Sequence, residues 1–422
     1  MHVFFSVDQR HHGVGRVKYA WDPSGIYLAS TGMSRVVHIF NRTGELVDQI
    51  VPPSPSICTH LEWGGKSLQL AIAQANSPIV LLWSAATQST STVDINLKEI
   101  TLLRWNKPTE ADGSNDTLAI GTSRGHVLLY EASCARLSSA MSKHKRKIVC
   151  GDWNTQNEFA FGSEDRQITI CAKDGSTIDQ VKIKAPPLSI QFGSRDFQKK
   201  HILSVNMGGQ TILLYDLNER DNALELAFQA RYGTIVNYKW FGNGYIIAGF
   251  SSGYVVIIST HLNEIGQEQY CAKFHEEYLH AICYNENNGM VATCGDTSIK
   301  VVRMADWKEI AVEDLDREAT MFDDLNWTCD GRVLSVSCHN GWLHHFKLLH
   351  MEQSLSQSLL EDPSSLLSTM GLLRASLHPF TPFVFCVTLL ALVVLTLFCM
   401  AAILRVDVKE LLFALTGFAP EF

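Results

Sequence analysis

The sequence predicts an all-β protein: a propeller of seven or eight four-stranded blades, followed by a carboxy-terminal hydrophobic α-helix. Three observations carry this. An aromatic residue returns at a near-constant interval. Each return is followed by two short apolar strands set off by turn residues. A long uncharged run stands apart near the end of the chain.

The aromatic anchors are Trp21, Trp63, Trp105, Trp153, Phe192, Trp240, Tyr284 and Trp327, at spacings of 42, 42, 48, 39, 48, 44 and 43 residues. That period belongs to four-stranded propeller blades. Each anchor ends a first strand. A turn such as DPSG (Asp22 to Gly25) or FGNG (Phe241 to Gly244) follows. The second strand is small and apolar, as in YLAST, LAIGT and YIIAGF. The next turn needs positive backbone angles and offers Gly or Asn: SRG ending at Gly125, SSG at Gly253, NG at Gly341. The third strand is β-branched or aliphatic: VVHIF, IVLLW, HVLLY, YVVIIS. One such unit exposes both faces and is stable only when stacked on its neighbours, so a ring of them is expected. A β-sandwich does not require an aromatic at constant period. HVFFSVD, His2 to Asp8, reads as an orphan strand that closes the ring beside the last blade.

The totals limit what such a ring can bind. The 422 residues are 46% hydrophobic and 18% charged, with a net charge of -8, which disfavours general affinity for nucleic acid. The eleven cysteines are scattered singly with no C-x-x-C pair, and read as reduced thiols packed as small hydrophobes.

The copies resemble WD repeats, so the expected fold is a WD40-type β-propeller over residues 1–349. A WD repeat carries a His before its first strand, a Ser or Thr on its second, an Asp in the following turn and a Trp ending its third. Here His144 and Asp165 fit one copy, and His275, Thr293 and Asp296 another; the closing Trp survives as Trp83 in a third. The resemblance implies that these side chains hydrogen-bond across their blade, a structural role, since buried His and Asp must be paired.

The runs YKWFGNGYIIAGFSSGYVVIISTHLNEIGQE (Tyr238 to Glu268), MVATCGDTSIKVV and KHKRKIVCGDWN resemble the amino-terminal propeller of the large subunits of intraflagellar transport complex A. The likeness covers roughly residues 1 to 350, and the Trp240 segment is its most specific part. It implies a non-enzymatic scaffold at the cilium and ciliary base, on the cytoplasmic face. The implied partners are other complex A subunits and ciliary cargo adaptors. The implied process is retrograde ciliary transport, cilium assembly and delivery of ciliary membrane proteins. Members of that family continue into a second propeller and a helical solenoid, which the residues after about Lys347 do not match.

Residues 350–382 read as a Ser/Leu-rich linker interrupted by Pro363. Phe383 to Leu404 is an uncharged run of 22 residues, broken only by Thr388 and Thr396. As a helix it would be about 33 Å long, enough for a bilayer core of about 30 Å. It is therefore read as a transmembrane helix, followed by a short tail, 405–422. A tail-anchored adaptor, independent of the transport trains, is the alternative to a train subunit.

The dense basic run KHKRK places Lys143, Lys145, Arg146 and Lys147 on a loop at one face of the ring, as a contact for an acidic partner, a phosphoinositide headgroup or nucleic acid, or as a solvated loop. HHGVG, His11 to Gly15, lacks the third glycine and the Lys-Ser/Thr of a phosphate-binding loop. His344 and His345 point to opposite faces of a strand, and the adjacent Asp323 and Asp324 likewise diverge, so neither metal nor paired-carboxylate chemistry is expected. No G-x-S-x-G nucleophile and no converging polar set for the central channel is visible, so neither cofactor nor small-molecule substrate is expected.

Overall fold

A computed structural model describes residues 1–348, apart from 98, 107–115, 139–140, 194–201, 221–222, 262 and 316–320. The linker 350–382, the apolar run Phe383 to Leu404 and the tail 405–422 lie outside the described residues. Among the described residues no helix is long and apolar enough to cross a membrane.

The strands form eight antiparallel sheets, each an up-and-down meander, and so eight blades. The first strand of each blade carries the anchor at or next to its end, as in Cys58–Trp63, Ile100–Trp105, Ile148–Trp153 and Phe322–Trp327. The anchors are equivalent by register. Trp21, Trp63, Trp105 and Trp153 sit opposite Leu28, Leu70, Leu118 and Phe159 on the second strand. Phe192, Trp240, Tyr284 and Trp327 sit opposite Leu203, Ile246, Val291 and Leu334. First strands of successive blades approach one another, which makes them the innermost. In blades two to eight the register slips four residues before the anchor, at Thr59, Thr101, Val149, Leu188, Val236, His280 and Asp323. Such a bulge bends the strand as it enters the ring.

The core is a layer in each seam between blades. Ile39, Trp63, Leu70 and Trp83 share one cluster; Ile168, Ile170, Leu203 and Val205 share another; Leu214, Trp240, Ile246 and Val256 a third. A blade alone would leave two such faces wet, which is why the units close on one another. The anchors also stitch the seams with hydrogen bonds. The indole N–H of Trp63 donates to the Ala20 carbonyl at 2.9 Å, that of Trp105 to Glu62 at 3.1 Å, and that of Trp153 to Arg104 at 3.0 Å. Each acceptor is the residue just before the preceding anchor.

Strand His2–Val7 pairs with Leu343–Lys347 and supplies the outer strand of the last blade. The chain's beginning and the end of its repeats thus share one sheet. Trp21 donates across the same seam to Ser335 Oγ at 2.7 Å, Tyr19 to the Ser335 carbonyl at 2.8 Å, and Arg42 pairs with Asp330.

Four details differ from the sequence expectation. The fourth strand of blade three comes as two short pieces, Arg136–Leu137 and Met141–Ser142. Cys134, Cys271 and Cys329 are exposed, while Cys58, Cys150, Cys171, Cys283, Cys294 and Cys338 are buried. The turn between second and third strands does not always use Gly or Asn: Arg35 and Arg166 take the left-handed conformation at φ 66 and 62. Trp83 does not close its own blade. It is fully buried and donates to Asp48 Oδ2, on the outer strand of the preceding blade, at 2.7 Å. Trp83→Phe is therefore expected to lower stability by about 2–3 kcal/mol, from the lost ring volume and the lost charge-assisted bond. Asp48→Asn should cost less, because an amide oxygen still accepts; chemical denaturation of the two variants checks this order.

Candidate functional site

The meander sends every connector between blades, and every turn between second and third strands, to one end of the ring. This connector face carries the WD-type side chains. His144 lies fully buried before the first strand of blade four. Its Nδ1–H donates to the Asp165 carboxylate at 3.0 Å, so the neutral ring accepts at Nε2 from the Thr169 hydroxyl at 3.0 Å. Thr169 stands on the third strand, Gln167–Cys171, and not on the second. Asp165 also accepts from the Lys145 backbone N–H at 3.0 Å. Burial drives the His144 pKa below its ordinary value, against the pull of Asp165. Burial acts to raise Asp165, but the Lys145 N–H and His144 outweigh it and hold the carboxyl low. A neutral imidazole donating to a charged carboxylate is the consistent state.

In blade seven, His275 Nε2 meets Thr293 Oγ1 at 3.0 Å, on the second strand. Asp296 stands 3.8 Å from His275 Nδ1, too far for a hydrogen bond. It instead gathers the N–H groups of Glu276, Glu277 and Tyr278 at 2.7, 3.0 and 3.0 Å. Both aspartates thus clamp the connector that precedes their blade.

A third copy was missed in the sequence. His12 is fully buried on the short helix Gln9–His12, capped by Asp8. Its Nδ1–H donates to the Gly341 carbonyl of blade eight at 3.0 Å, and its Nε2 accepts from the Ser30 hydroxyl of blade one at 2.9 Å. A signal existed: His12, His144 and His275 each stand nine residues before their anchors Trp21, Trp153 and Tyr284. The glycines of HHGVG drew attention from that offset.

The basic run is fixed by the same clamp. Its His144 turns inward, while Lys145 and Arg146 are exposed and Lys143 and Lys147 half-buried. Lys143 Nζ donates to Thr177 at 2.7 Å. The four cations therefore do not spread along a loose loop; they are held on a short, pinned connector.

The structure also shows a polar set along the axis that the sequence analysis did not find. Glu62, Arg104, Asp152 and Lys239 each precede an anchor, and Lys18 and Asp324 stand three before theirs. Around the ring their signs alternate. Arg104 donates to Glu62 at 2.9 Å, and Glu62 holds the guanidinium above its ordinary pKa against the cost of burial. Asp152 accepts from the Phe192 N–H at 3.2 Å. Arg104 faces Glu62 and Asp152 on the two neighbouring blades, and Lys18 acts on Asp324 across the closure of the ring, so these charges tie inner strands together. His344 and His345 do diverge: His344 Nδ1 lies 2.9 Å from Ser6 Oγ, and His345 Nδ1 lies 2.8 Å from Ser335 Oγ. Among the described residues no three potential ligands gather for a metal.

Eight meandering blades, indole-stitched seams and His–Ser/Thr pins on one face define a WD-repeat β-propeller. The chain belongs to the WDR19 first beta-propeller family, whose profile matches residues 17–341. It is 36% identical over 338 residues to WD repeat-containing protein 19 of Homo sapiens, covering 78% of this chain and 25% of that protein. It is 28% identical over 345 residues to WD repeat-containing protein dyf-2 of Caenorhabditis elegans, covering 80% and 24%. The chain thus spans about a quarter of the length of the curated relatives it matches. Among solved structures it is similar to the computationally designed Ika8 protein (TM-score 0.65, 14% identity, 82% of this chain and 100% of that one). It is also similar to Saccharomyces cerevisiae Sqt1 (TM-score 0.66, 12% identity, 82% and 98%). At those identities the likeness concerns the fold alone.

Proposed function

We propose that this chain is a non-enzymatic docking module of intraflagellar transport complex A, acting in retrograde ciliary transport, cilium assembly and ciliary membrane-protein delivery at the cilium and its base. The observation that carries this reading is the 36% identity, sustained over 338 residues, to the propeller of WD repeat-containing protein 19. The chemistry agrees with it. The buried histidines are used as pins, and Glu62, Arg104 and Asp152 face one another along the axis. What is left to offer is connectors and blade edges, which suit other complex A subunits and cargo adaptors. Several modest contacts of that kind add up within one assembly.

Expression of the tagged chain in ciliated cells tests this. Co-purification of complex A subunits and signal along the cilium are the expected result. Carbonate-resistant membrane association without ciliary co-purification would overturn it in favour of the tail-anchored adaptor, the reading supported by the uncharged run Phe383 to Leu404.

A further inference from the structure

Three turns are bonded into one block on the connector face, at the boundary of blades three and four. His144 N donates to the Gly125 carbonyl at 3.2 Å. Ser163 Oγ donates to the Arg146 carbonyl at 3.0 Å, and Glu164 N to Lys147 at 3.0 Å. A Cβ on Gly125 would lie 2.3 Å from the His144 carbonyl oxygen and 2.8 Å from that of Arg146, so the turns are in direct contact. The block brings Arg124 and Arg166 beside the basic run, a grouping the linear sequence does not show. Arg124, Lys145, Arg146 and Arg166 are all exposed. Among the described residues none of the four side chains has an ion-pair partner. Of the two carboxylates on these turns, Asp165 is engaged by His144 and the Lys145 N–H, and Glu164 is half-buried, which leaves four exposed cations against one carboxylate. Arg166 holds a left-handed backbone, φ 62, at the position where Gly125 and Gly253 stand in blades three and six.

The opposite side of the same face is acidic. Glu276 and Glu277 are exposed beside Asp296, with Asp314 and Asp323 nearby. Of the cations there, Lys273 pairs with Glu276 at 3.4 Å, Arg16 with Asp323 at 3.4 Å, and Lys300 is turned onto the Phe274 carbonyl at 2.8 Å. A flat anionic bilayer, or a nucleic acid laid across the face, would press its phosphates against those carboxylates. A narrow acidic chain would not.

We propose that the rim of blades three and four docks an acidic segment of a protein partner, whose carboxylates meet Arg124, Lys145, Arg146 and Arg166. This deepens the docking-module reading and rests on it. The test is fluorescence anisotropy of a labelled decaglutamate peptide with the full chain, at about 50 mM and about 200 mM salt. The double reversal Lys145→Glu/Arg146→Glu is expected to weaken binding about 10-fold. Arg166→Gly should weaken it about 2- to 5-fold while leaving the thermal midpoint equal to or above that of the parent, which separates loss of binding from loss of folding. Glu276→Lys/Glu277→Lys should not weaken it. Equal affinity for the parent and the Lys145/Arg146 double variant would overturn the proposal. So would sedimentation with phosphatidylserine or phosphatidylinositol bisphosphate vesicles, or binding of single-stranded DNA, lost through these same four residues. The assay contains no ciliary component, so its failure would remove this surface and leave the complex A reading to its own test.

Discussion

Trp153→Ala is expected to cost about 3–5 kcal/mol, a large part of the 5–15 kcal/mol that holds a typical domain together. Trp153 is 3% exposed, packs on Phe159 with ring centroids 4.8 Å apart, and donates its indole N–H to Arg104 in the preceding blade at 3.0 Å. Truncation opens a cavity inside a seam and also leaves the Arg104 carbonyl without that donor. The comparison with phenylalanine isolates the hydrogen bond. Trp153→Phe removes volume and a seam bond. Trp327→Phe, at the same place in blade eight, removes volume and an indole N–H that has no partner among the described residues, so it costs no seam bond. The first should cost about 1 kcal/mol more than the second, read as the difference in denaturation midpoints at a shared slope. Equal costs would mean that the indole bonds contribute nothing, and that the anchors act by volume alone.

The anchors show why the ring was legible in the sequence. A Trp at a fixed register position is used once per blade, and its constraint is local: the strand it ends, the turn after it and the apolar strand opposite it all lie within some twenty residues. Eight repetitions make that local rule conspicuous, and the orphan strand at the amino terminus follows from the need to close the last sheet. Features that depend on two blades at once were not legible. Trp83 matched a WD position, yet its acceptor Asp48 lies 35 residues earlier on another sheet. Thr169 on the third strand takes the place of a second-strand hydroxyl at the buried Nε2 of His144, while Ser163 on the second strand donates to the Arg146 carbonyl. The axial charges of Glu62, Arg104 and Asp152 sit beside conspicuous anchors, and their meaning appears only when the first strands are known to be innermost. Arg166 broke a turn rule, and only the stitched turns show which cations it joins.

Mild acid should open the ring well before the carboxylates titrate. Burial is the first cause in each case: it pushes the pKa of His12, His38, His60 and His275 down to about 4. In the unfolded chain these groups titrate near 6.5. Between pH 6.5 and 4 the unfolded state therefore binds protons that the folded state refuses, and stability rises with pH across that window. It is fully present above about 6.5 and is lost as the pH falls towards 4. Each imidazole accounts for about 1–2 kcal/mol between pH 7 and pH 5. His12 and His38, with ring centroids 6.2 Å apart, do not act independently, so several kcal/mol in total is expected. The thermal midpoint should then drop on the order of 10 °C over those two pH units. The clamping carboxylates cannot produce this, because Asp165 and Asp296 are held below 3.8 and give up their contribution only at lower pH. His12→Gln keeps a donor towards Gly341 and an acceptor for Ser30 while removing the titration, so it should flatten the slope by about one proton. His275→Gln should do the same from blade seven, and a midpoint that stays level from pH 7 to pH 5 would show that these imidazoles are not the neutral pins their burial makes them.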